Sequence, residues 1–236
     1  MRWGALVALM LATACGPTPA PTLPEPRTRT GFPKASRVVA PVVSPGWSTE
    51  RARDQRREAD LVMAAAGVTP GMTVADIGAG EGYYTIRLAA KVGPEGRVLA
   101  EDIVPEYRDR LAERIYREHL DNVSVKLGRP TDAQLPEGSF DRIFMVHMYH
   151  EIDEPYEFLW RLRPALKRDG MVVLVDADRP TAQHGTPPHL LDCELAASGF
   201  RLVRRMTMPQ AGGYLALYAA AHGPRPEPRA MQGCKA

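Results

Sequence analysis

Residues 74–82 read VADIGAGEG: an apolar strand ends in an acidic residue and glycines, and a helix pattern follows directly. Glycines at a strand-to-helix turn let a ligand approach the backbone, and the helix N-terminus offers unpaired N–H groups. The third glycine, Gly82, comes two residues after the second, which is not the G-x-G-x-x-G spacing of dinucleotide sites. Asp76 would also repel a pyrophosphate, so the loop favours a cationic or zwitterionic ligand. The alternative is a tight turn with no ligand.

Around this loop, apolar strands alternate with helices. Strands are predicted at 72–77, 97–101, 123–127, 142–147, 171–176, 200–208 and 214–220, and helices at 48–66, 83–92, 105–120, 155–166 and 189–198. Such alternation predicts a parallel sheet covered on both faces, and the last two strands, which lack an intervening helix, predict an antiparallel hairpin. We therefore expect an α/β fold, namely a single Rossmann-like, doubly wound domain whose seven-stranded sheet is mostly parallel and carries an antiparallel C-terminal edge hairpin.

The N-terminus, residues 1–15, has the layout of a secretory signal: Arg2, a short apolar run, and small residues before Cys15. The apolar run is shorter than the roughly 20 residues that span a bilayer. Residues 12–15, ATAC, resemble a bacterial lipoprotein box, in which the cysteine is lipidated. We expect membrane association through a lipidated Cys15, on the periplasmic face of the outer membrane in the cell envelope. A plain secretory signal or an uncleaved anchor is the alternative, and the chain would be cytoplasmic if the signal is not used.

Proline is concentrated at the two ends of the chain, which holds 22 prolines in 236 residues. Residues 16–46 are predicted to be a disordered Pro/Thr-rich tether, residues 47–222 the folded domain, and residues 223–236 a disordered tail. Cys193 and Cys234 could pair outside the cytoplasm, but no spacing pattern supports a disulfide framework. The simpler interpretation makes Cys193 a buried helix residue.

The composition argues against several classes of protein. Thirty Lys and Arg against 28 Asp and Glu give a net charge of +2, and no basic stripe interleaved with aromatic residues is present, so we expect no nucleic-acid partner. A hydrophobic content of 44% argues against both global disorder and a multi-span membrane protein. The oligomeric state is not predicted.

Four segments in order resemble the class I S-adenosylmethionine-dependent methyltransferases, specifically the type 11-like group, over about residues 60–221. The segments are VADIGAGEGYYTIRLA at 74–89, VLAEDIVPEY at 98–107, LGRPTDAQLPEGSFDRIFMVHMYHEI at 127–152 and LRPALKRDGMVVLVDADRP at 162–180. The resemblance implies S-adenosylmethionine as the cofactor. Many relatives have Gly-Asp where this chain has Gly128-Arg129, so the adenine contact shifts in our prediction to Asp132.

The resemblance also implies roles for individual residues. Asp76 and the glycines hold the amino-acid part of the cofactor, and the carboxylate of Asp102, with Glu101 as the neighbour it could be confused with, takes the two ribose hydroxyls. Tyr83 could close over the cofactor or simply pack. The predicted cofactor-binding residues are Asp76, Gly78, Gly80, Tyr83, Asp102, Ile103, Asp132 and His147.

Ligands of an open α/β sheet lie beyond the carboxyl ends of its strands, so residues 147–151 should face the transferred methyl group. His150 is the predicted catalytic base, because neutral imidazole accepts protons near pH 7, and Glu151 is predicted to orient it. The alternative is that His150 caps the loop or packs against the cofactor and that proximity alone drives transfer. His147, His150 and Glu151 are all metal-ligand types, but they lack a fourth ligand at suitable spacing, and no metal site is predicted.

These predictions converge on methyl transfer to a small-molecule or lipid-like acceptor. The sequence lacks an Asn-Pro-Pro-Tyr type signature, which favours oxygen, carbon or sulfur over an amino group as the acceptor atom. The alternative is a catalytically inactive envelope lipoprotein that keeps the fold as a binding module, because the cofactor is made in the cytoplasm while the signal directs the chain outside it. A nicotinamide-dependent oxidoreductase is disfavoured by the glycine spacing.

Overall fold

The computed structural model describes Met1 and residues 26–42 and 49–235. The predicted signal, apart from Met1, and its Cys15 lie outside the described residues. Seven strands form one sheet: β1 (Thr73–Ile77), β2 (Arg97–Asp102), β3 (Val123–Leu127), β4 (Phe140–Val146), β5 (Leu166–Asp176), β6 (Phe200–Met208) and β7 (Gly213–Ala220). Six α-helices surround it: α1 (Glu50–Gln55), α2 (Glu58–Ala65), α3 (Tyr83–Val92), α4 (Pro105–Arg117), α5 (Pro155–Leu162) and α6 (Pro188–Ala197).

The strand order is β3-β2-β1-β4-β5-β7-β6, and strands β1 to β5 pair in parallel. Strand β7 runs antiparallel to both β5 and β6, which confirms the predicted C-terminal hairpin and the fold class. The chain order reverses between β1 and β4, and this is the position where open α/β sheets bind ligands.

The central strands are buried on both faces, as a doubly covered parallel sheet requires. On β1 and β4, Ala75 and Ile143 face one core cluster, whereas Val74 and Phe144 face the other. Successive side chains of a strand point to opposite faces, so two separate cores hold the sheet and fix where its carboxyl ends lie.

The predicted helix 48–66 is two helices in the structure. The side chain of Thr49 caps α1 by accepting from the Ala52 N–H, but the chain breaks at Arg57, whose φ is 55°. The break turns Glu58 inward, where it is 2% exposed and accepts two hydrogen bonds from Arg53 Nε at 3.1 and 3.2 Å. Sequence periodicity missed the break because ion pairs of Glu58 with Arg53 and Arg56, rather than a proline or glycine, accompany it.

The described residues of both terminal segments, which the sequence predicts to be disordered, pack against the domain. Phe32 in residues 26–42 and Met231 and Cys234 in residues 223–235 are each at most 3% exposed, and they form one apolar cluster with Tyr156 and Leu190. Cys193 and Cys234 form a disulfide, and Cys193 lies on the exposed face of α6 rather than in the core. Proline-rich composition does not prevent a segment from packing once a disulfide and buried apolar side chains fix it.

Within the described residues, no helix has the length and apolar character needed to cross a bilayer.

Candidate active site

The carboxyl ends of β1, β2, β4 and β5 open into one cavity of about 710 Å³, a size typical of small-molecule and cofactor sites. Nine of the ten predicted site residues line it: Asp76, Gly78, Gly80, Tyr83, Asp102, Ile103, His147, His150 and Glu151. The tenth, Asp132, does not. The cavity has an end formed by β1 and β2 and an end formed by β4 and β5, which we call the cofactor end and the acceptor end.

At the cofactor end, Gly80 ties the glycine loop to β2. Its N–H donates to Oδ2 of Asp102 at 2.9 Å, and the Val104 N–H donates to Oδ1 at 2.8 Å. Gly80 has a φ of 55°, and a Cβ there would meet nothing within 4 Å, so backbone conformation alone makes glycine favourable. Burial raises the pKa of Asp102, and these N–H groups oppose the rise. A carboxylate offers about four acceptor sites, so Asp102 keeps capacity for a hydroxyl-bearing ligand.

Asp76 and Glu101 add two more buried carboxyl groups to the same end. Burial raises the pKa of Asp76 to about 6, although its Oδ2 accepts a 2.6 Å hydrogen bond from the Thr85 hydroxyl. Burial, followed by the charge of Asp102, raises the pKa of Glu101 to about 8. Glu101 Oε1 is buried without a hydrogen-bond partner in the described part of the chain.

Gly128 makes room for this buried glutamate. A Cβ at Gly128 would lie 1.4 Å from Glu101 Oε1, so any other residue would displace the carboxyl group. Sequence reasoning named Glu101 only as the neighbour of Asp102, yet the structure brings both side chains to the cavity. The departure from the family pattern at Gly128-Arg129 therefore leaves intact the glycine that accommodates Glu101.

Tyr83 lines the cavity, but its ring is already held by two arginines. The guanidinium carbons of Arg53 and Arg87 lie 3.7 and 3.9 Å from its ring centroid, and its hydroxyl donates to Asp54 at 3.1 Å. The same Arg53 pairs with buried Glu58, which accepts from the Tyr84 hydroxyl at 3.2 Å. Helices α1 and α2 thus cover the glycine loop. Arg53 and Glu58 could not be identified from the sequence, because their contacts depend on the helix break.

Asp132, the predicted adenine contact, lies outside the cavity lining and is hydrogen-bonded within its own turn. Its Oδ1 accepts from the Gln134 N–H at 2.7 Å, and its Oδ2 lies 3.9 Å from Arg161 Nη1. The carboxylate therefore stabilises the turn after β3. Pro130, two residues earlier, and the partly exposed Ile103 line the cavity there and offer it apolar surface.

At the acceptor end, Asp176 at the end of β5 lies beside the imidazoles of His147 and His150. It is fully buried, and each of its carboxylate oxygens lies 3.1 Å from Nδ1 of His150. It also accepts from the Thr186 hydroxyl at 2.7 Å, and His147 Nδ1 lies 3.8 Å away. Burial alone would raise the pKa of Asp176, but the neighbouring imidazoles of His147 and His150 outweigh burial and hold the pKa well below its ordinary value.

This geometry fixes the imidazole of His150. An ionised carboxylate only accepts, so His150 Nδ1 carries a proton toward Asp176, and in the neutral ring the lone pair is on Nε2. The prediction named Glu151 as the orienting residue. In the structure Asp176 holds the Nδ1 side of the ring, and Glu151 lies beside it, with a carboxylate oxygen within 4.8 Å of a ring nitrogen. Asp176 was detectable in principle, since it ends the strand paired in parallel with β4 and so shares its carboxyl edge.

His150, Glu151 and His184 form a group of potential metal ligands, with one ligand atom from each lying within 4.8 Å of the others. Ligand atoms around a tetrahedral zinc ion lie about 3.4 Å apart, given zinc–nitrogen distances of about 2.1 Å. Holding an ion here would require the loops to tighten and would use the His150 lone pair. The arrangement as it stands is a polar cluster that faces the acceptor end.

The charge pattern of the cavity fits S-adenosylmethionine. Asp76, Glu101 and Asp102 converge on the cofactor end, and Glu101 has an unused acceptor atom there. A ligand with an ammonium group, a sulfonium centre and a ribose diol would supply the positive charge and the donors that these carboxyl groups lack. The residues present therefore fit this cofactor.

Residues 74–170 match the family model of a methyltransferase domain. Among curated proteins, the chain is 29% identical over 122 residues to a protein-L-isoaspartate O-methyltransferase of Ignicoccus hospitalis, covering 52% of this chain and 55% of that protein. It is 30% identical over 119 residues to a tRNA (adenine(58)-N(1))-methyltransferase of Thermus thermophilus, covering 50% and 44%. The chain spans about half the length of the curated relatives it matches.

Among solved structures, the chain is similar to a SAM-dependent methyltransferase from Aquifex aeolicus, with a TM-score of 0.63 and 25% identity over 73% of this chain and 98% of that one. It also shares its fold with the [4+2]-cyclase SpnF, with a TM-score of 0.61 and 16% identity over 79% and 89%. The matched domain, the fold and these relatives make the chain similar to class I S-adenosylmethionine-dependent methyltransferases, whose cofactor the residues at the cofactor end fit.

Proposed function

We propose that the chain transfers a methyl group from S-adenosylmethionine to an oxygen, sulfur or carbon atom of a small-molecule or lipid-like acceptor. The observation that carries this proposal is that one cavity joins an acid-rich cofactor end to an imidazole held by a buried carboxylate. Neither half alone distinguishes catalysis from binding. Together they provide a place for a cationic methyl donor and, beside it, a group that accepts a proton.

The cofactor end would hold the donor through named side chains. Asp76 and the glycine loop would bind its amino-acid part, Asp102 its ribose hydroxyls, and Ile103 and Pro130 its adenine. When bound, S-adenosylmethionine supplies a methyl group on a positively charged sulfur. Because Asp76 and Glu101 have raised pKa values, ligand positive charge would favour their ionised forms, and binding would release protons.

At the acceptor end, His150 would remove the acceptor's proton. Its Nδ1 proton stays on the Asp176 side, and Nε2 accepts the proton of a hydroxyl or thiol as that atom becomes a nucleophile. The negative charge of Asp176 stabilises the imidazolium that forms. Transfer to a carbon acceptor activated by a neighbouring hydroxyl would use the same proton removal. The cavity would further accelerate transfer by aligning the acceptor atom with the methyl group.

We further propose that this reaction takes place in the cell envelope. The signal-like N-terminus motivates the proposal, and the Cys193–Cys234 disulfide supports it, because such bonds persist mainly in oxidising compartments. The lipid anchor at Cys15 and the outer-membrane location remain part of the same proposal. Intact-mass analysis of the membrane fraction of expressing cells would test it, since lipidation adds a diacylglyceryl mass at the new N-terminal cysteine.

An acceptor screen tests the proposed reaction. The purified chain would be incubated with trideuteromethyl-labelled S-adenosylmethionine and a panel of phenols, thiols and enolisable carbonyl compounds, and products would be read by mass spectrometry. We expect a labelled product that His150→Gln abolishes and that the matched control His189→Gln, which lies outside the cavity lining, leaves unchanged. Cofactor binding without any labelled product would favour the alternative of an inactive envelope lipoprotein that binds through this fold.

A further inference from the structure

The N-terminal and C-terminal segments form a two-layer strap over α5 and α6. We define the strap as residues 26–42 together with residues 223–235. Arg27 Nη2 donates to the Met231 carbonyl at 2.9 Å, and the Ser36 hydroxyl donates to the Cys234 carbonyl at 2.9 Å. A parallel bridge between Ser36 and Lys235 continues the contact. These contacts join the N-terminal layer to the C-terminal layer.

The C-terminal layer is in turn fixed to the domain. Cys234 forms the disulfide with Cys193 on α6, and its backbone N–H donates to the Tyr156 hydroxyl on α5 at 2.6 Å. Trp160 Nε1 donates to the Pro226 carbonyl at 2.8 Å. The strap is thus attached by one covalent bond and several hydrogen bonds to the two helices that lie behind the acceptor end.

Arg37 reaches from the strap to the loop that carries His150. Its guanidinium pairs with Glu194 at 3.0 Å, and neither side chain is exposed. Its remaining N–H groups donate to the carbonyls of Tyr149, His150 and Ile152 at 3.4, 3.3 and 3.1 Å. One planar group with five donors can satisfy a carboxylate and several carbonyls at once, which a lysine ammonium with three donors cannot do.

Two further contacts hold the loop that carries His150. The Ala40 N–H donates to the His150 carbonyl at 3.1 Å, and the Tyr149 hydroxyl donates to Glu194 Oε2 at 2.7 Å. Val42, two residues after Ala40, lines the cavity itself. The strap therefore holds the backbone of the His150 loop, while Asp176 holds the imidazole of the same residue.

We infer that Arg37 is a positioning residue for the acceptor end: it fixes the Tyr149–Ile152 loop so that His150 Nδ1 meets Asp176, and the Cys193–Cys234 disulfide keeps Arg37 in place through the strap. The inference rests on the proposed function only in giving His150 a role toward the acceptor. The acceptor end is thereby built from both termini of the chain, and loss of the disulfide loosens it without touching the cofactor end.

The test reads the His150 ring directly, so it requires no acceptor. Long-range ¹H–¹⁵N correlation spectra of the ¹⁵N-labelled full chain report which ring nitrogen carries the proton, and His150→Gln assigns the signal. We expect an Nδ1–H tautomer in the native chain. Arg37→Lys keeps the positive charge opposite Glu194 but loses the planar guanidinium that donates to several carbonyls. The variant should raise the Nε2–H population of His150 roughly tenfold, as expected when a hydrogen bond to a charged group is lost.

Two other variants complete the design. Arg142→Lys is the matched control. Arg142 is as buried as Arg37, and it donates to the Ala66 carbonyl near the start of β4, far from His150. The His150 tautomer should be native in this variant. In Cys193→Ser/Cys234→Ser, the Ala40 amide should exchange with solvent roughly tenfold faster, and the His150 tautomer should move as in Arg37→Lys. If Arg37→Lys does not fold, Arg37→Gln/Glu194→Gln replaces it, because it removes both buried charges together.

An unchanged His150 tautomer in a folded Arg37 variant would overturn the inference and leave Arg37 a purely structural residue. Titration of S-adenosylhomocysteine into the same samples separates this result from failure of the proposed function. Native-like affinity with an altered tautomer supports both proposals. Absence of binding to the native chain would count against the methyltransferase function, while the tautomer shift would still decide the role of Arg37.

Discussion

The cofactor end and the acceptor end of the cavity are assembled in different ways. At the cofactor end, the contacts that shape the site join residues close in sequence: Thr85 to Asp76 across 9 positions and Gly80 to Asp102 across 22. At the acceptor end, Arg37 reaches Glu194 across 157 positions and the His150 carbonyl across 113. Local contacts can be encoded in a short motif, whereas the acceptor end depends on where the termini of the chain settle.

The first prediction concerns the buried ion pair of the acceptor end, Arg37–Glu194. Arg37→Ala leaves Glu194 buried without its partner, which costs about 3–5 kcal/mol of unfolding free energy. Urea unfolding followed by circular dichroism measures this loss.

The matched control for that variant is Arg87→Ala. Arg87 pairs with Asp54, whose side chain is 50% exposed, and an exposed pair contributes only about 0–1 kcal/mol. Equal losses in the two variants would contradict the view that Arg37 secures a buried junction.

The second prediction concerns the disulfide. Reducing it, or replacing both cysteines by serine, should lower stability by about 2–4 kcal/mol, because the bond closes a loop between residues 41 positions apart. The affinity for S-adenosylhomocysteine should stay nearly unchanged, since no strap residue hydrogen-bonds the glycine loop. Calorimetric titration with and without reductant measures both effects, and a parallel loss of cofactor affinity would show that the two ends are not independent.

The third prediction concerns how the stability of the fold depends on pH, because the buried carboxyl groups of the cofactor end and the acceptor end have pKa values shifted in opposite directions. Folding raises the pKa of Asp76 to about 6 and of Glu101 to about 8, so the folded state without ligand binds more protons than the unfolded chain between about pH 4.5 and 8. Stability should therefore fall as pH rises through this window, by about 2 kcal/mol between pH 6.5 and 8.5.

Replacing Glu101 by glutamine should remove most of this pH dependence and leave the smaller contribution of Asp76. Asp176 has the opposite sign: its lowered pKa contributes stability that is lost only as the solution becomes strongly acidic, below the ordinary range of a carboxyl group. A stability profile of Glu101→Gln that still falls as steeply between pH 6.5 and 8.5 would contradict the assignment to Glu101.

The fourth and smallest effect concerns the glycine loop. Gly80→Ala introduces no contact within 4 Å, so its cost is the left-handed conformation alone, about 1 kcal/mol. Gly82→Ala should cost more, because its Cβ would lie 2.4 Å from Leu111 Cδ1 in addition to the same backbone penalty. Thermal unfolding of the two variants side by side measures the difference, and a larger loss for Gly80→Ala would contradict this account.

Most of the fold and nearly all of the cofactor end could be predicted from the sequence. The strands and the glycine loop follow from local apolar periodicity and turn chemistry, and Asp76 and Asp102 follow from their places at strand ends. The predicted adenine contact of Asp132 gains no support from the geometry, because Asp132 lies outside the cavity lining and accepts a hydrogen bond within its own turn. The distinction between an acid that binds a ligand and one that caps a turn depends on geometry that spacing does not carry.

The acceptor end could be predicted only in part. His150 was identified because it follows a strand at the carboxyl edge, but its partner was taken to be the adjacent Glu151 rather than Asp176 on the neighbouring strand. The strap was taken for disordered ends because proline-rich composition masks a few buried anchors such as Phe32 and Arg37. Phe32 lies in one cluster with Cys234, and the three cysteines in the chain offered no spacing signal for the disulfide between Cys193 and Cys234.

The central claim is that the carboxyl edge of β1 and β2 binds S-adenosylmethionine through Asp102. The most direct test is calorimetric titration of S-adenosylhomocysteine into the full chain, Asp102→Asn and Asp132→Asn. We expect micromolar binding to the native chain, roughly 100-fold weaker binding to Asp102→Asn, as loss of charged hydrogen bonds implies, and native affinity in Asp132→Asn. Absence of binding to a folded native chain, or equal affinity in the native chain and Asp102→Asn, would contradict the claim.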